Sequence, residues 1–183
     1  MKKILAVIAP GFEELEAVAV IDILRRIGFK VVTAGIDTKR AAGAHDIAIE
    51  TDATLGELFP DDFDAIYLPG GMAPGAKLLL EDEEVLEAVD TLYRSGKVVA
   101  AICAAPIVFA KLSILDGKKF TVYPGLESFL GGNVSTGAAA EADGNVVTGR
   151  GPGAVFAFAL KFASALGAES ECRKVFQDML LEL

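Results

Sequence analysis

The chain has 183 residues, of which 52% are hydrophobic and 23% are charged; this composition predicts a single globular domain over residues 1–183 and excludes a disordered chain. The formal net charge of −9 argues against nucleic-acid binding, because no cluster of lysines and arginines is present to neutralise phosphates. The two cysteines, Cys103 and Cys172, form no CxxC pair, so we expect neither a disulfide scaffold nor a metal site.

The first residues, Met1-Lys2-Lys3, precede an apolar run that ends at Pro10. This run is too short to span a bilayer, and no small-residue cleavage site follows it. It therefore predicts a first β-strand and not a signal peptide. We expect a soluble, cytoplasmic protein without a membrane partner.

Four short apolar runs predict parallel strands that are buried on both faces; they are Ile4–Ala9, Lys30–Gly35, Ala65–Leu68 and Val98–Ile102. Apolar residues at helical spacing predict three helices among them, which are Glu14–Ile27, Glu83–Ser95 and Ala104–Leu112. Every strand except the second is followed by a turn and a helix. This alternation predicts an α/β fold with a parallel sheet between two layers of helices.

The pattern changes between residues 119 and 149, where short strands alternate with Gly, Asn and Asp turns. The predicted strands are Phe120–Val122, Val134–Thr136 and Val146–Thr148, and Asp143-Gly144 is a hairpin signal. Pro152 marks a helix start, and the last two predicted helices are Phe156–Leu166 and Glu169–Leu183. No internal repeat or linker indicates a second domain.

Cys103 stands between the predicted strand Val98–Ile102 and the segment Ala104-Ala105-Pro106. A strand, a sharp turn and a helix that begins with small residues form a nucleophile elbow, which displays a reactive atom at the carboxyl end of the sheet. A helix N-terminus at this point favours the thiolate and predicts a lowered thiol pKa. The alternative is that Cys103 is only a small buried hydrophobic residue.

Glu16 is the acidic residue that we expect at the same edge of the sheet. Open α/β sheets place their sites at the carboxyl ends of strands, and Glu13, Glu14 and Glu16 follow the first strand. Capping of the next helix explains Glu13 and Glu14. Glu16 lies one helical turn further on, where desolvation would raise its pKa and keep it protonated as a hydrogen-bond donor to the cysteine.

Two glycines follow the third predicted strand, in Pro69-Gly70-Gly71-Met72. Paired glycines let the backbone approach a ligand closely, so the amides of Gly71 and Ala104 are candidates for an oxyanion hole over Cys103. The alternative is a tight turn without a ligand. Neither Gly70–Lys77 nor Gly149–Ala154 completes a phosphate-binding or dinucleotide-binding motif, and we expect no cofactor.

The single histidine, His45, lies in a predicted surface strand or turn far upstream of Cys103. A cysteine hydrolase needs a general base beside its thiol, and downstream of Cys103 the sequence offers Tyr123-Pro124 instead. Peptidase and amidotransferase activities are therefore disfavoured.

Together these residues resemble the ThiJ/PfpI superfamily, and within it the branch of the Parkinson-associated protein DJ-one, the protein deglycases. Four motifs carry the resemblance in family order and spacing: Gly11–Glu16, Leu68–Gly71, Ala101–Pro106 and Arg150–Gly153. The resemblance implies a flavodoxin-like three-layer sandwich with a mostly parallel central sheet, and a homodimer. It makes Cys103 the nucleophile, which oxidises readily to a sulfinic acid, and Glu16 its protonated partner. Gly71 and Ala104 match the family's backbone donors.

Three positions qualify the resemblance. The protease-like branch has a histidine directly after the nucleophile, where this chain has Ala104. The DJ-one branch often has a histidine at the position of Tyr123, which can donate a hydrogen bond but is a poor base at neutral pH. His45 aligns near a position from which the partner subunit reaches toward the site in this family, which makes it an accessory candidate.

The resemblance implies an enzyme that acts on a small reactive carbonyl, methylglyoxal, or on glycated groups. It would be a glutathione-independent glyoxalase or a deglycase in carbonyl and oxidative stress protection. The alternatives are a non-catalytic redox sensor or chaperone whose Cys103 oxidises to sulfinic acid, and an α/β domain with an inert thiol.

Overall fold

A seven-stranded sheet forms the centre of the structure, which is a computed structural model and describes residues 1–181. The strands, including a separate hairpin, are β1 (Lys3–Ile8), β2 (Lys30–Gly35), β3 (Arg40–Ala42), β4 (Ala48–Glu50), β5 (Ala53–Thr54), β6 (Ala65–Leu68), β7 (Val98–Ile102), β8 (Ala140–Asp143) and β9 (Val146–Gly149). The order across the sheet is β5-β2-β1-β6-β7-β9-β8, and only β8 runs antiparallel to its neighbour. Strands β3 and β4 form the separate antiparallel hairpin.

Helices cover both faces of this sheet. They are α1 (Glu14–Ile27), α2 (Gly75–Glu81), α3 (Glu83–Arg94), α4 (Pro106–Lys111), α5 (Val155–Ala165) and α6 (Glu169–Asp178). Side chains of a strand alternate between faces, so Leu5 and Val7 pack in the core with α3 and α4, whereas Ile4 and Ala6 pack in the core with α1 and α5. The predicted α/β sandwich with a mostly parallel sheet is confirmed.

Among the described residues, no helix combines the length and the apolar character that crossing a bilayer requires.

Most predicted elements are confirmed within a residue or two of their bounds. Strands β2, β6 and β7 and helix α1 have the predicted bounds, whereas β1, β9, α3 and α5 differ by one residue at one or both ends. The signal Asp143-Gly144 lies at the turn between β8 and β9. The last helix ends at Asp178 instead of Leu183, and residues 182 and 183 lie outside the described part of the chain.

Two predicted strands, Phe120–Val122 and Val134–Thr136, are wrong: neither segment forms a strand. Side-chain hydroxyls meet the backbone groups that a neighbouring strand would otherwise bond. Thr148 Oγ1 accepts from the Thr121 amide at 2.9 Å, and Ser135 Oγ accepts from the Val122 amide at 3.3 Å. Hydroxyl side chains compete with sheet ladders in this way, and an apolar pattern alone does not reveal it.

The predicted helix over Ala104–Leu112 is too long, because α4 begins only at Pro106. Cys103 has a φ of 63°, which a helix does not allow, and the residues after it form a turn in which the Ala105 amide donates to the Ile102 carbonyl at 3.1 Å. Pro106 then opens the helix, where its missing N–H has no cost. The backbone groups around the cysteine therefore belong to a turn.

The hairpin of β3 and β4 was not predicted, because its short strands are half exposed and carry no continuous apolar run. It folds over the start of α1: the Gly11 amide donates to the Ala42 carbonyl at 2.7 Å, and the Ala44 amide donates to the Phe12 carbonyl at 2.8 Å. The hairpin thus covers the segment that leads from β1 to Glu16.

Candidate active site

The carboxyl ends of four adjacent strands place the sequence motifs at one edge of the sheet. Strands β1, β6, β7 and β9 are neighbours in that order. They lead into the segments Gly11–Glu16, Gly70-Gly71, Cys103-Ala104 and Arg150–Gly153, respectively. Parallel strands make this convergence a consequence of topology. The structure therefore brings all four motifs together.

Cys103 occupies a sharp turn directly after β7. Its φ of 63° lies in the left-handed region, which costs a non-glycine residue about 1–3 kcal/mol. Two backbone hydrogen bonds hold this conformation: the Cys103 amide donates to the Gly149 carbonyl at 2.8 Å, and the Cys103 carbonyl accepts from the Tyr123 amide at 2.8 Å. The residue is 4% exposed. The geometry is that of the predicted nucleophile elbow.

Glu16 is buried completely, with 0% exposure. Its Oε2 accepts from the Gly70 amide at 2.9 Å, whereas Oε1 is buried without a hydrogen-bond partner among the described residues. Burial is the main cause that raises the Glu16 pKa, to about 7, and the Cys103 thiol lowers it by hydrogen bonding. A carboxyl group of this kind keeps its proton far more readily than an exposed glutamate does.

Gly70 has no room for a side chain between the two groups. A Cβ built there would lie 2.5 Å from the Cys103 Cβ and 2.5 Å from Glu16 Oε2. Gly71 has a φ of 135°, and a Cβ at Gly71 would meet the Gly11 carbonyl oxygen. Gly70 therefore lets the backbone after β6 lie close to both Cys103 and Glu16, and Gly71 lets it lie against the segment that follows β1.

The predicted lowering of the Cys103 pKa is wrong. Burial is the main cause that raises this pKa, to about 12, and the charge and hydrogen bond of Glu16 raise it further. Hydrogen bonding from the backbone amides of Ala104 and Gly71 lowers this pKa and so acts in the opposite direction. The helix N-terminus does not overcome desolvation, because α4 begins three residues later at Pro106.

The two groups titrate as a pair. The first proton leaves near pH 7 and the second near pH 12, so between these values the pair holds one proton. That proton can lie on the sulfur or on Glu16. With the proton on Glu16, the sulfur carries the negative charge, which hydrogen bonding from the amides of Gly71 and Ala104 favours.

Tyr123 contacts the cysteine through its backbone amide, which donates to the Cys103 carbonyl. It is 40% exposed, and the ring lies against Gly151. Tyr123, Pro124, Arg150 and Gly151 line an open groove of about 560 Å³.

His45 lies in the turn between β3 and β4, in agreement with the surface position predicted for it. It does not bind the cysteine in this chain: its Nδ1 lies 2.8 Å from Glu14 Oε2, and its amide donates to Glu14 Oε1 at 2.7 Å. The hydrogen bond with Glu14 raises the pKa of His45. Glu14 is thus a tether for the hairpin, which the capping interpretation missed.

Glu13, Glu14 and His45 bring their ligand atoms within 4.8 Å of one another, the one cluster of this kind in the part of the chain that the structure describes. Glu13 caps α1 by accepting from the Glu16 amide at 3.0 Å. The Glu14 oxygens already accept from His45 and from the amide of Ile47. This set is explained by the fold without a metal ion.

Sequence reasoning missed Tyr67 and the role of Gly70. Tyr67 is fully buried on β6, and its hydroxyl donates to the Glu16 carbonyl oxygen at 3.0 Å. A lone hydroxyl in an apolar strand needs a buried partner, which is the signal that could have identified it. Gly71 is the predicted donor to the cysteine, whereas the amide of the neighbouring Gly70 donates to Glu16.

A second cavity lies next to Ala104, the residue that follows Cys103. This apolar pocket has a volume of about 380 Å³, and its walls come from α2, from the start of α4 and from the segment 126–129. They include Met72, Ala76, Leu80, Ile107, Leu126 and Phe129. Ala104 also lines it, whereas Cys103 is not among the lining residues.

Known proteins are similar to this chain in both sequence and fold. Protein dj-1beta of Drosophila melanogaster is 37% identical over 183 residues, which is 98% of this chain and 97% of the relative. Deglycase PfpI of Pyrococcus furiosus is 32% identical over 169 residues, covering 90% of this chain and 99% of the relative. Oxidized Toxoplasma gondii DJ-1 superposes with a TM-score of 0.93 at 30% identity and covers 100% of both chains.

The family model described as the DJ-1/PfpI family matches residues 2–165. This span contains all four motifs and every strand and helix except α6. The crystal structure of Drosophila melanogaster DJ-1beta has the same fold, with a TM-score of 0.92 at 35% identity over 100% of this chain and 99% of that one. The chain therefore belongs to the DJ-1/PfpI family.

Proposed function

We propose that this chain is a glutathione-independent glyoxalase or deglycase that acts on methylglyoxal, or on groups that methylglyoxal has modified. The observation that carries the proposal is the buried Glu16 carboxyl group, whose pKa is raised to about 7 beside the Cys103 thiol. A general acid–base group works best when its pKa lies near the working pH. Relatives named deglycases, such as that of Pyrococcus furiosus, support the reaction class.

The reaction begins with transfer of the thiol proton of Cys103 to Glu16. The sulfur then attacks the aldehyde carbon of methylglyoxal, and protonation of the aldehyde oxygen gives a hemithioacetal. The amides of Gly71 and Ala104, which lower the thiol pKa in the free site, are the donors expected beside this position, where backbone N–H groups stabilise developing charge.

Glu16 next moves a proton from the former aldehyde carbon to the neighbouring carbon. The hydrogen leaves the first carbon, which is oxidised to a thioester, and the second carbonyl is reduced to an alcohol. Water then cleaves the thioester, giving lactate and restoring the thiol. The oxidation and the reduction occur within one substrate molecule, so the sum is methylglyoxal plus water to lactate, without an external oxidant or glutathione.

Purified protein mixed with methylglyoxal should form lactate in the absence of glutathione. Cys103→Ser should abolish the activity, and Glu16→Gln should reduce it by about 10²–10⁴-fold, the usual contribution of general acid–base catalysis. Cys172→Ser is the matched control, because Cys172 is also buried but lies in the cluster between α5 and α6. Lactate formation that persists in Cys103→Ser would refute the proposal.

A second candidate function is redox sensing, in which peroxide oxidises Cys103 to a sulfinate. The oxidized Toxoplasma gondii DJ-1 structure and the buried hydrogen-bonding groups around the sulfur favour it, since a sulfinate needs such donors. Mild peroxide should add the mass of two oxygen atoms to wild type and none to Cys103→Ser. Equal oxidation of Cys172 would contradict a site-specific sensor.

We further propose that the chain forms a homodimer through the outer face of α1. Leu15 and Val18 are each 50% exposed on this helix, and Ile47 of the adjacent hairpin is 57% exposed. Apolar side chains grouped in this way are typical of an interface. Light scattering should give a dimer for wild type and a monomer for Val18→Asp. Val134→Asp, at a valine with 83% exposure, should remain a dimer.

A further inference from the structure

We infer that the apolar pocket beside Cys103 is a specificity pocket, and that it selects 2-oxoaldehydes that carry an aryl or branched alkyl group over methylglyoxal. The inference rests on the proposed function, because it names the substrate class for the same cysteine. Four features of the pocket support it: its place, its size, its lining and the contrast with the neighbouring groove.

The pocket begins at the residue after the cysteine. Ala104 directly follows Cys103 and lines the pocket, and Met72, which directly follows Gly71, lines it as well. A carbonyl carbon bonded to the sulfur would therefore have its substituent next to these walls. The substituent of the aldehyde is the part of the substrate that varies.

The pocket is too large for methylglyoxal alone. Its volume is about 380 Å³, within the range of about 300–1,000 Å³ in which proteins bind small ligands. The single methyl group of methylglyoxal would leave most of this space unfilled. A phenyl or isopropyl group would fill more of this space, whose lining includes Leu126 and Phe129.

The lining of the pocket favours an uncharged group. Apart from Lys77 and Glu81, its side chains are aliphatic, aromatic or thioether groups. Lys77 and Glu81 face each other one helical turn apart, with Nζ 3.9 Å from Oε1, so neither charge recruits an ion strongly. Transfer of apolar surface from water into such a space is favourable.

The groove lined by Tyr123 and Arg150 differs from the apolar pocket. Arg150 lies there and donates to the Gly137 carbonyl at 2.9 Å, and the groove is more open and more polar than the apolar pocket. An apolar substituent gains little from it. The apolar pocket is thus the side of the site that can discriminate between carbonyl compounds by their hydrocarbon part.

Phenylglyoxal tests the inference, because the same internal rearrangement with water would convert it to mandelate. The kcat/KM values for phenylglyoxal and methylglyoxal are measured for wild type and for Phe129→Glu, which places a charge in the pocket wall at a residue with 51% exposure. We expect wild type to prefer phenylglyoxal. In Phe129→Glu the kcat/KM for phenylglyoxal should fall about tenfold or more, which is the usual size of discrimination in an apolar pocket. The kcat/KM for methylglyoxal should change little.

Phe59→Glu is the matched control. Phe59 is 75% exposed and precedes β6, so it lies near the amino end of the sheet, away from Cys103. This variant should keep the wild-type preference. The inference is overturned if wild type prefers methylglyoxal, if Phe129→Glu loses both activities equally, or if Phe59→Glu shows the same loss.

A binding experiment separates this inference from the proposed function. If wild type converts neither aldehyde, the proposed function fails, and acetophenone, a neutral aryl ketone that cannot undergo the rearrangement, then tests the pocket alone. Nuclear Overhauser effects from its phenyl protons to the Met72 methyl group, lost in Phe129→Glu and kept in Phe59→Glu, would support the pocket. Absence of binding to wild type would overturn it.

Discussion

Cys103 and Glu16 govern each other's protonation. A thiol pKa of about 12 describes a sulfur beside an ionised carboxylate, since two of the causes that raise it come from Glu16. When Glu16 holds the proton, burial alone opposes the thiolate, and the amides of Gly71 and Ala104 favour it. The thiolate is therefore formed by moving a proton within the pair.

This dependence predicts the pH profile of Cys103 alkylation. In wild type the rate of reaction with iodoacetamide should rise through pH about 7, the value to which burial raises the Glu16 pKa, and then level off. In Glu16→Gln no group near the sulfur titrates there, so the rate should rise only at higher pH. Mass spectrometry of the Cys103 peptide measures both rates. An inflection near pH 7 that survives in Glu16→Gln would contradict the shared proton.

The single histidine offers a second residue-scale prediction. Hydrogen bonding to Glu14 raises the pKa of His45 above its ordinary value of 6.5, so its imidazole proton signals should titrate above that value. In Glu14→Gln the titration should move back toward 6.5. Only one histidine contributes to the spectrum, which makes the measurement unambiguous. An unchanged titration in Glu14→Gln would show that the hairpin is not tethered by this contact.

At the scale of elements, the turn after β6 depends on the missing side chain of Gly70. In Gly70→Ala the new methyl group would meet Cys103, Glu16 and the Ile102 carbonyl oxygen within 2.5–2.7 Å. Overpacking of this kind destabilises a protein by about 1–3 kcal/mol, and it would also separate the thiol from the carboxyl group.

The comparison with Gly153→Ala makes the test specific. Gly153 follows β9 at the same edge of the sheet, and a Cβ there would have no neighbour within 4 Å. Urea unfolding should show a loss of about 1–3 kcal/mol for Gly70→Ala and little change for Gly153→Ala. Equal effects of the two substitutions would mean that the crowding at Gly70 is relieved by a small backbone shift.

The elements that could be predicted from the sequence are those with a local cause. Strands β2, β6 and β7 are continuous apolar runs, and α1 has both helical spacing and a glycine stop. The two strands predicted within the segment 120–136 are wrong, because the hydroxyls of Thr148 and Ser135 replace a strand partner. These contacts join residues that are distant in sequence. The hairpin of β3 and β4 packs through backbone contacts that leave no apolar pattern.

In the site, too, the features with a local cause could be predicted and those that depend on distant contacts could not. The elbow at Cys103 follows from the order of strand, cysteine and small residues, and the topology of the sheet places the glycines beside it. The direction of the Cys103 pKa could not be predicted, because it depends on how much desolvation outweighs two amides. Tyr67 and Gly70 were missed for a related reason, since each donates a hydrogen bond to Glu16 and not to the cysteine.

For the molecule as a whole, the site is a cost to stability. The left-handed backbone of Cys103 and the buried Oε1 of Glu16 are both unfavourable in the folded state, and such strain persists only where the surrounding structure enforces it. The sheet and two layers of helices supply that enforcement. The part of the cost that comes from Glu16 depends on pH and can be isolated.

Because the Glu16 pKa rises from 4.5 in an exposed chain to about 7 in the folded protein, the unfolded state loses its proton first as the pH increases. Burial of Glu16 does not destabilise the folded state below pH 4.5, where the carboxyl group is protonated in both states. Above pH 7 it destabilises the folded state fully, by about 3 kcal/mol for a pKa shift of this size. Between pH 4 and pH 8 the free energy of unfolding of wild type should therefore fall by about 3 kcal/mol relative to Glu16→Gln. Exposed glutamates with lowered pKa values, such as Glu171, act in the opposite direction, so Glu171→Gln should not reproduce the effect. Parallel pH dependences of wild type and Glu16→Gln in urea unfolding would show that Glu16 is solvated, and the proton-sharing mechanism would fail with it.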